Sequence, residues 1–411
     1  MESEGEDVPE THLSNTSNDE VDYPPNNYVY RWIDLVFLTC GMITFCLDLG
    51  LDVMTACTHW YHKDYIWFTL TTIFITFPSL VMTTVSLWWY IKDEYNGHLP
   101  RTSASRWVLR ICLNVLQLGP LLRYMDAARY GLWSRQFWIQ GDRRRQKQYY
   151  TYALYEEGDA GFLRLFECFM ESAPQLVLQL YILTQASKSG DYSKTWKILL
   201  VCGCVTSLLS LAWGVTGYAR TTRYTSEKEN ITLKGTVVLF LWHLFSIAAR
   251  VVAMVAFAAV FRQWLLVGGA AHVLLMVVWL MARRSLGTVC PYLPLELLFC
   301  CILAVVYIFV FINEKEEKTR GKYAWWYMVC AVENVAMIVC WLVYADPTLW
   351  YYTPAAVVHF VFFLLGLIFM GLYYSLLHPN VINSHIVPHT EQQQQKIEVP
   401  TNNSMGGKVD L

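Results

Sequence analysis

Long apolar runs separated by short polar stretches dominate this chain. Ten segments can be distinguished, at about 31–58, 65–91, 105–133, 160–186, 195–219, 232–261, 263–283, 290–313, 324–344 and 353–377. Several reach the roughly 20 residues that a helix needs to cross the hydrocarbon layer of a bilayer. A chain inside that layer must satisfy its own backbone hydrogen bonds, so helices are expected. The pattern predicts an all-α polytopic membrane protein.

The basic residues in the connections constrain the topology. Lysine and arginine cluster in 92–110, 143–147, 220–234, 283–284 and 315–322. Few lie near 58–65, 186–195, 262 and 345–353. The positive-inside rule assigns the first set to the cytosol. Ten full crossings cannot satisfy that assignment, because crossing by the third or the eighth segment would place the next basic cluster outside.

The third and eighth segments are therefore expected to enter from the cytosol and return. Pro120 lies in the third, and Pro291 and Pro294 lie in the eighth. Broken helices at membrane depth are tolerated where protein buries them or where they line a polar cavity. The prediction is eight transmembrane helices plus two re-entrant helices in two pseudo-symmetric halves, with both termini cytosolic. It divides the chain into a disordered acidic tail at 1–30, membrane halves at 31–225 and 226–380, and a disordered tail at 381–411.

Composition agrees with the membrane class and excludes several others. The chain is 55% hydrophobic and carries a net charge of −2, which predicts nothing about its partners. Its first 27 residues contain eight acidic residues and no lysine or arginine, so a cleavable signal peptide is not expected. No glycine-rich phosphate loop or nucleophile–base constellation is present, and His59 and His62 fall in a predicted loop without metal-ligand spacing. We therefore expect no enzyme, no cofactor, no metal and no nucleic-acid partner.

Ionisable residues inside the apolar segments are the strongest functional signal. Each costs about 2.5–3.5 kcal/mol at a helix centre, so such residues usually mark a function or a pair. Asp34, Asp48 and Asp52 point to one side of the first segment within about 40°, over a rise of about 27 Å. A second stripe, about 16 Å long, runs along the fourth segment. Its members are Arg164, Glu167, Glu171 and Gln175.

Two interpretations of these charges remain open. They can pair as structural links between helices, Arg164 with Asp48 or Asp52, and Arg250 of the sixth segment with Glu167 or Glu171. Alternatively, two long stripes form a continuous hydrophilic track. Such a track could conduct ions, carry a solute, or let lipid headgroups slide while the acyl chains stay in the membrane.

Three motifs resemble the signature of the XK-related family. They are Arg164-Leu165-Phe166-Glu167 leading into Glu171-Ser172-Ala173-Pro174-Gln175-Leu176; Asp34 with Leu47-Asp48-Leu49-Gly50 and Asp52; and Gln117-Leu118-Gly119 with Arg123. The resemblance runs from about residue 31 to 378. It implies the same eight-plus-two helical fold in two halves. Several members of the family are apoptotic phospholipid scramblases, and others act as partners of other membrane proteins.

The resemblance also implies roles for particular residues. A gate is implied at Trp67, whose alternative role is an interfacial anchor. The residues implied or expected to line the path of the lipid headgroup are Asp34, Asp48, Asp52, Arg123, Arg164, Glu167, Glu171, Gln175 and Arg250.

The acidic tail contains a caspase recognition sequence, Asp19-Glu20-Val21-Asp22. A protease can bind such a segment as an extended strand, and cleavage after Asp22 would remove all eight acidic residues. Tyr23 follows the bond, where caspases favour a small residue, so slow cleavage is expected.

The sequence therefore predicts a caspase-activated, ATP-independent phospholipid scramblase of the plasma membrane that exposes phosphatidylserine on apoptotic cells. Its expected partners are phospholipids, an effector caspase and a single-span membrane protein. The alternatives are a solute or ion transporter, and a non-scrambling partner subunit of the same family.

Overall fold

The computed structural model describes residues 28–95, 102–189, 193–225, 231–283, 293–312 and 320–379. Within these ranges the regular structure is helical throughout. The caspase sequence Asp19–Asp22, both terminal tails and Pro291 lie outside the described residues.

Twelve α-helices follow one another along the described chain. Their bounds are α1 Trp32–Tyr61, α2 Tyr65–Tyr95, α3 Ala104–Val115, α4 Gly119–Gln140, α5 Arg143–Glu167, α6 Ala173–Ser189, α7 Lys194–Thr225, α8 Leu233–Phe261, α9 Trp264–Arg283, α10 Leu293–Val306, α11 Arg320–Tyr344 and α12 Tyr352–Leu372. A π-helical turn, Cys168–Ser172, joins α5 to α6, and another, Tyr373–Leu377, follows α12.

Seven of the described helices are long and apolar enough to cross a membrane, which agrees with a polytopic membrane protein. These spans are Trp32–Tyr61, Tyr65–Tyr95, Lys194–Arg223, Leu233–Phe261, Trp264–Ala282, Gly321–Tyr344 and Tyr352–Leu377. The predicted fourth segment, 160–186, is not among them. Instead it is built from the end of α5, the π-helical turn and α6, and it buries several charged side chains.

The predicted third segment, 105–133, is two helices. The break comes before Pro120, at Gln117, whose φ of 65° is left-handed. Pro120 itself lies in the first turn of α4, where proline is well tolerated because its missing N–H would have no helical partner. The break in this segment is therefore confirmed, but Pro120 begins the second helix rather than interrupting one.

The predicted eighth segment, 290–313, contains a short helix and a non-helical stretch. After α10 ends at Val306, backbone carbonyls that have no partner within the helix accept hydrogen bonds from neighbouring helices. Trp326 Nε1 donates to the Tyr307 carbonyl at 2.7 Å, and Arg250 Nε donates to the Ile308 carbonyl at 3.0 Å. Irregular backbone inside a membrane domain requires such partners.

Two helices hold the bundle together. Helix α7 contacts α1, α5, α6 and α8, while α8 contacts α11 and α12. The approach of α8 to α12 depends on Gly366, where an added Cβ would lie 2.6 Å from Ser246 Oγ. The main apolar core forms around Phe169, Leu211 and Val251. One face of α1 is packed against α7, and its aspartates are therefore enclosed by protein.

Candidate functional site

The two polar stripes meet where Asp48 of α1 contacts the end of α5 and the π-helical turn. We call their seven residues the polar column: Asp34, Asp48, Asp52, Arg164, Glu167, Glu171 and Gln175. All seven are buried, none more than 6% exposed. The α1 aspartates recur at whole-turn spacing, so a single buried helix face contains all three. Apolar residues such as Val36, Ile43 and Leu47 cover the outward face.

Arg164 is the centre of the polar column. Its Nη2 lies 3.3 Å from Asp48 Oδ2, and its Nη1 lies 3.2 Å from Glu167 Oε2. It also donates to Ser210 Oγ on α7 and lies over the Phe45 ring at 5.1 Å. The expected pair of Arg164 with Asp48 is therefore present. One guanidinium links α1, α5 and α7.

Asp48 has further donors that sequence reasoning missed. Ser172 Oγ donates to Asp48 Oδ2 at 2.6 Å, and Ser207 Oγ on α7 donates to Oδ1 at 2.9 Å. Ser172 reaches Asp48 from the π-helical turn, where the wider helix brings Glu171 and Ser172 both into the interior. Such turns are frequent at functional sites. The signal for Ser172 in the sequence is its position next to Glu171, a charged residue inside an apolar segment.

Asp34 closes one end of the polar column with a partner that the sequence analysis did not identify. Arg220 Nη2 of α7 lies 3.3 Å from Asp34 Oδ1, and Arg220 Nη1 also donates to the Ile231 carbonyl at 2.8 Å. The backbone N–H of Arg31 donates to Asp34 Oδ2 at 3.1 Å. Arg220 directly follows the predicted fifth segment, 195–219, so the sequence places it in the basic connection 220–234.

At the other end of the polar column, several buried polar groups lack hydrogen-bond partners within the described residues. Asp52 Oδ2 and Gln175 Nε2 are buried without a hydrogen-bond partner within the described residues. Glu171 interacts electrostatically with Glu167 and Asp52. It takes part in none of the hydrogen bonds or ion pairs of the described residues. Buried polar groups nearly always have partners in folded proteins, so each exception calls for an explanation.

Polar side chains continue beyond Gln175 toward the end of α1. Gln179 Nε2 lies 3.5 Å from Gln175 Oε1 and 3.4 Å from Thr71 Oγ1 of α2. His59 is fully buried, with its ring 6.2 Å from the Trp196 ring. The prediction that His59 lies in a loop was wrong, because α1 extends to Tyr61 and buries that side chain.

Trp67 lies on α2 at this less satisfied end. Its ring meets the Tyr181 ring edge-on at 6.1 Å and packs against a buried cluster that contains Ile182 and Trp196. The Tyr181 hydroxyl accepts a hydrogen bond from Arg262 Nε at 2.6 Å. Trp67 is half-buried.

Arg123 lies in a separate cluster. Its Nη1 pairs with Glu156 at 3.1 Å and with Asp159 at 2.7 Å, both on α5. Its Nη2 donates to the Ser86 carbonyl of α2 at 3.0 Å, and Tyr90 covers the guanidinium at 3.9 Å. Arg123 therefore fixes α4 against α2 and α5. None of its bonds among the described residues reaches the α1 aspartates.

Arg250 is also remote from the polar column. It pairs with Glu333 and bonds Asn334 Oδ1 at 2.7 Å, both on α11, rather than pairing with Glu167 or Glu171. His272 Nδ1 lies 2.8 Å from Glu333 Oε1, and its Nε2 lies 3.1 Å from the Tyr307 carbonyl. This network ties α8, α9 and α11 to the non-helical end of the eighth segment.

Metal binding has no support in the part of the chain that the structure describes, where no group of three His, Cys, Asp or Glu is arranged to hold an ion. The arrangement is instead a buried set of opposite charges between apolar helices.

The chain is similar to known proteins over most of its length. The model of the XK-related protein family matches residues 36–379. XK-related protein 8 of Gasterosteus aculeatus is 30% identical over 366 residues, covering 86% of this chain and 85% of that protein. XK-related protein 8 of Tetraodon nigroviridis is 30% identical over 372 residues, covering 87% of this chain and 86% of that protein. The chain belongs to the XK-related protein family.

Proposed function

We propose that this protein is an ATP-independent phospholipid scramblase that exposes phosphatidylserine after an effector caspase removes its acidic N-terminal tail. The observation that carries the proposal is the polar column, in which unsatisfied carboxyl and amide groups continue directly from a tightly paired centre. Membership of the XK-related family supports it.

The chemistry of the column suits a lipid headgroup. Phosphatidylserine and phosphatidylcholine both combine a cation with a phosphate. Asp52 and Glu171 offer carboxylates for the cation, and Arg164 offers a guanidinium for the phosphate. A headgroup at this depth would replace lost hydration with protein partners, which lowers the cost of leaving water. Movement would follow the gradient of each lipid without ATP.

The proposed topology has eight spans and two re-entrant segments, with both termini cytosolic in the plasma membrane. The eighth span would be the continuous helix formed by the end of α5, the π-helical turn and α6. The re-entrant segments would be the broken pair α3–α4 and the short helix α10. The break at Gln117 and the bonded carbonyls of Tyr307 and Ile308 support this interpretation. The two proposed halves are residues 31–225 and 226–380.

The proposed switch is cleavage after Asp22. A tail can control the membrane domain only by contacting its closed and open states differently. Deleting residues 1–22 should therefore reproduce the effect of the caspase.

The test uses the purified full chain in phosphatidylcholine vesicles that contain a trace of fluorescent phosphatidylserine. External dithionite bleaches label in the outer leaflet only, unless lipid exchanges between leaflets. We expect further bleaching after caspase treatment of the wild type and none with Asp22→Ala. An encapsulated dye and a potential-sensitive dye measure leakage and ion flux in the same vesicles. Bleaching that stays at the protein-free level after confirmed cleavage would reject the scramblase, and ion flux alone would indicate a transporter.

One observation favours a second candidate, a non-scrambling partner subunit. Arg164 forms ion pairs with Asp48 at 3.3 Å and with Glu167 at 3.2 Å, as a structural link between helices would. In that case neutralising Glu167, which pairs with Arg164, would harm assembly but remove no lipid exchange.

A further inference from the structure

The turn between α4 and α5 presents a concentrated basic surface. Helix α4 ends at Gln140 and is followed by Gly141, whose φ of 77° is left-handed. Helix α5 begins after Asp142, which accepts a hydrogen bond from Arg145 N at 3.1 Å. The first turn of α5 therefore directs several cations outward. Asp142 also pairs with Arg145, at 3.4 Å.

We call Arg143, Arg144 and Lys147 the basic face. They line an open cleft of about 510 Å³ together with Gln148, Thr151 and Tyr152. All three cations are exposed, and none has a carboxylate partner within the described ranges. Three cations within one helical turn repel one another and attract anionic groups.

The N-terminal segment reaches the described structure beside this face. Gln146 Nε2 donates to the Tyr28 carbonyl at 3.0 Å, and Lys147 Nζ lies 4.9 Å from the centre of the Tyr28 ring. Tyr28 also meets Tyr150 edge-on at 5.8 Å, and Arg135 donates to the Tyr30 carbonyl at 3.3 Å. The chain before Tyr28 is therefore tethered within one helical turn of Arg143.

The preceding 27 residues have the complementary charge. They contain eight acidic residues and no lysine or arginine. Five residues lie between Asp22 and Tyr28, and the six steps of an extended chain between them span up to about 20 Å. The distance from Lys147 to Arg143 along the helix is only about 6 Å. A tethered tail has an effective concentration in the millimolar range, so weak charge contacts suffice.

From these observations we infer that the basic face is the docking surface for the acidic N-terminal tail, whose carboxylates pair with Arg143, Arg144 and Lys147. In the uncleaved chain the tail stays bound at the turn between α4 and α5. Cleavage after Asp22 releases every carboxylate and leaves the basic face open. A role of this release in activation rests on the proposed function, whereas docking of the tail itself requires neither cleavage nor lipid exchange.

The test is carbodiimide coupling in the full uncleaved chain, which joins a carboxylate to a lysine amine that it contacts. The protein is held in phosphatidylcholine nanodiscs, and tryptic peptides are identified by mass spectrometry. We expect an adduct of Lys147 with a carboxylate between Glu2 and Asp22. The double variant Arg143→Glu/Arg144→Glu keeps Lys147 but should lower that adduct by about tenfold, because several weak attractions become repulsions.

Lys92→Glu/Lys234→Glu provides the matched control. It reverses two exposed charges elsewhere, at the end of α2 and the start of α8, and should leave the adduct unchanged. Reversing three charges of the tail, Asp19→Lys/Glu20→Lys/Asp22→Lys, should weaken the adduct of Lys147 with the remaining tail carboxylates. Combined with the double variant, it should instead couple the tail to positions 143 and 144.

An absent Lys147 adduct, or one that survives Arg143→Glu/Arg144→Glu, would overturn the inference. If the adduct is absent and the double variant instead weakens retention by phosphatidylserine-containing vesicles, the basic face is a lipid-binding surface and the inference is again wrong. Because coupling is measured without caspase or lipid flux, a chain that never scrambles lipid can still give the adduct.

Discussion

Replacing Arg164 with methionine removes a cation that pairs with both Asp48 and Glu167. Methionine keeps most of the length and the apolar stem, so the lost interaction is mainly the charge. The three side chains involved are at most 8% exposed, and water cannot readily replace the guanidinium. The variant therefore leaves two carboxylates buried at the interface of α1, α5 and α7.

The expected cost follows from what each carboxylate retains. Asp48 keeps the hydroxyls of Ser172 and Ser207, at 2.6 and 2.9 Å, so part of its solvation survives. Glu167 loses its ion pair with Arg164. Removing one partner of a buried ion pair usually costs about 3–5 kcal/mol. We expect the lower end of that range.

The assay is the thermal stability of detergent-solubilised protein, followed by fluorescence-detected size exclusion. Arg164→Met should melt at a clearly lower temperature than the wild type. Arg145→Met is the matched control, because Arg145 is exposed and its pair with Asp142 is worth about 1 kcal/mol or less. Adding Asp48→Asn and Glu167→Gln should restore much of the stability. A wild-type melting temperature for Arg164→Met would refute the reasoning, as would a triple variant no more stable than the single one.

Three further variants test the less satisfied end and the second network. Glu171→Gln should fold normally, since it replaces a buried carboxyl group that makes no hydrogen bond or ion pair within the described residues, and should abolish the proposed lipid exchange in vesicles. Trp67→Ala should raise the exchange rate if the ring obstructs the path, whereas Trp60→Ala, which removes a 58% exposed ring, should not. His272→Phe should lower thermal stability by about 1–3 kcal/mol, because the Tyr307 carbonyl and Glu333 each lose a contact.

Each of these expectations has an outcome that contradicts it. Misfolding of Glu171→Gln would assign that carboxyl a structural role. Equal exchange by the Trp67 and Trp60 variants would make Trp67 an ordinary interfacial residue. An unchanged melting temperature for His272→Phe would mean that Trp326 alone supports the Tyr307 carbonyl.

The sequence predicted the membrane class and the α1 stripe because both depend on local periodicity. Helical geometry alone places Asp34, Asp48 and Asp52 on one face, and the structure buries all three. The sequence also limited the partner of Arg164 to Asp48 or Asp52, and the structure shows the pair with Asp48. Long apolar runs likewise indicated most of the spans.

Other features depend on tertiary contacts that no local pattern contains. Arg220 pairs with Asp34 across 186 residues of sequence, and Arg250 finds Glu333 rather than Glu167. The π-helical turn also shifts side chains in a way that an ideal helical repeat cannot reproduce. Periodicity predicts which side of a helix is polar, but packing decides which helix faces it.

Residues that look alike in the sequence therefore have three distinct physical surroundings. Arg164 is enclosed by short contacts within the polar column. Arg123 and Arg250 are enclosed as well, but they fasten the broken third and eighth segments to intact helices. Asp52 and Glu171 lack hydrogen-bond and ion-pair partners for their carboxyl oxygens within the described residues. Burying such a group costs free energy, so it gains most from binding a ligand. Neutralising the three arginines should therefore damage folding, whereas neutralising Asp52 or Glu171 should leave folding intact and affect only the proposed lipid exchange.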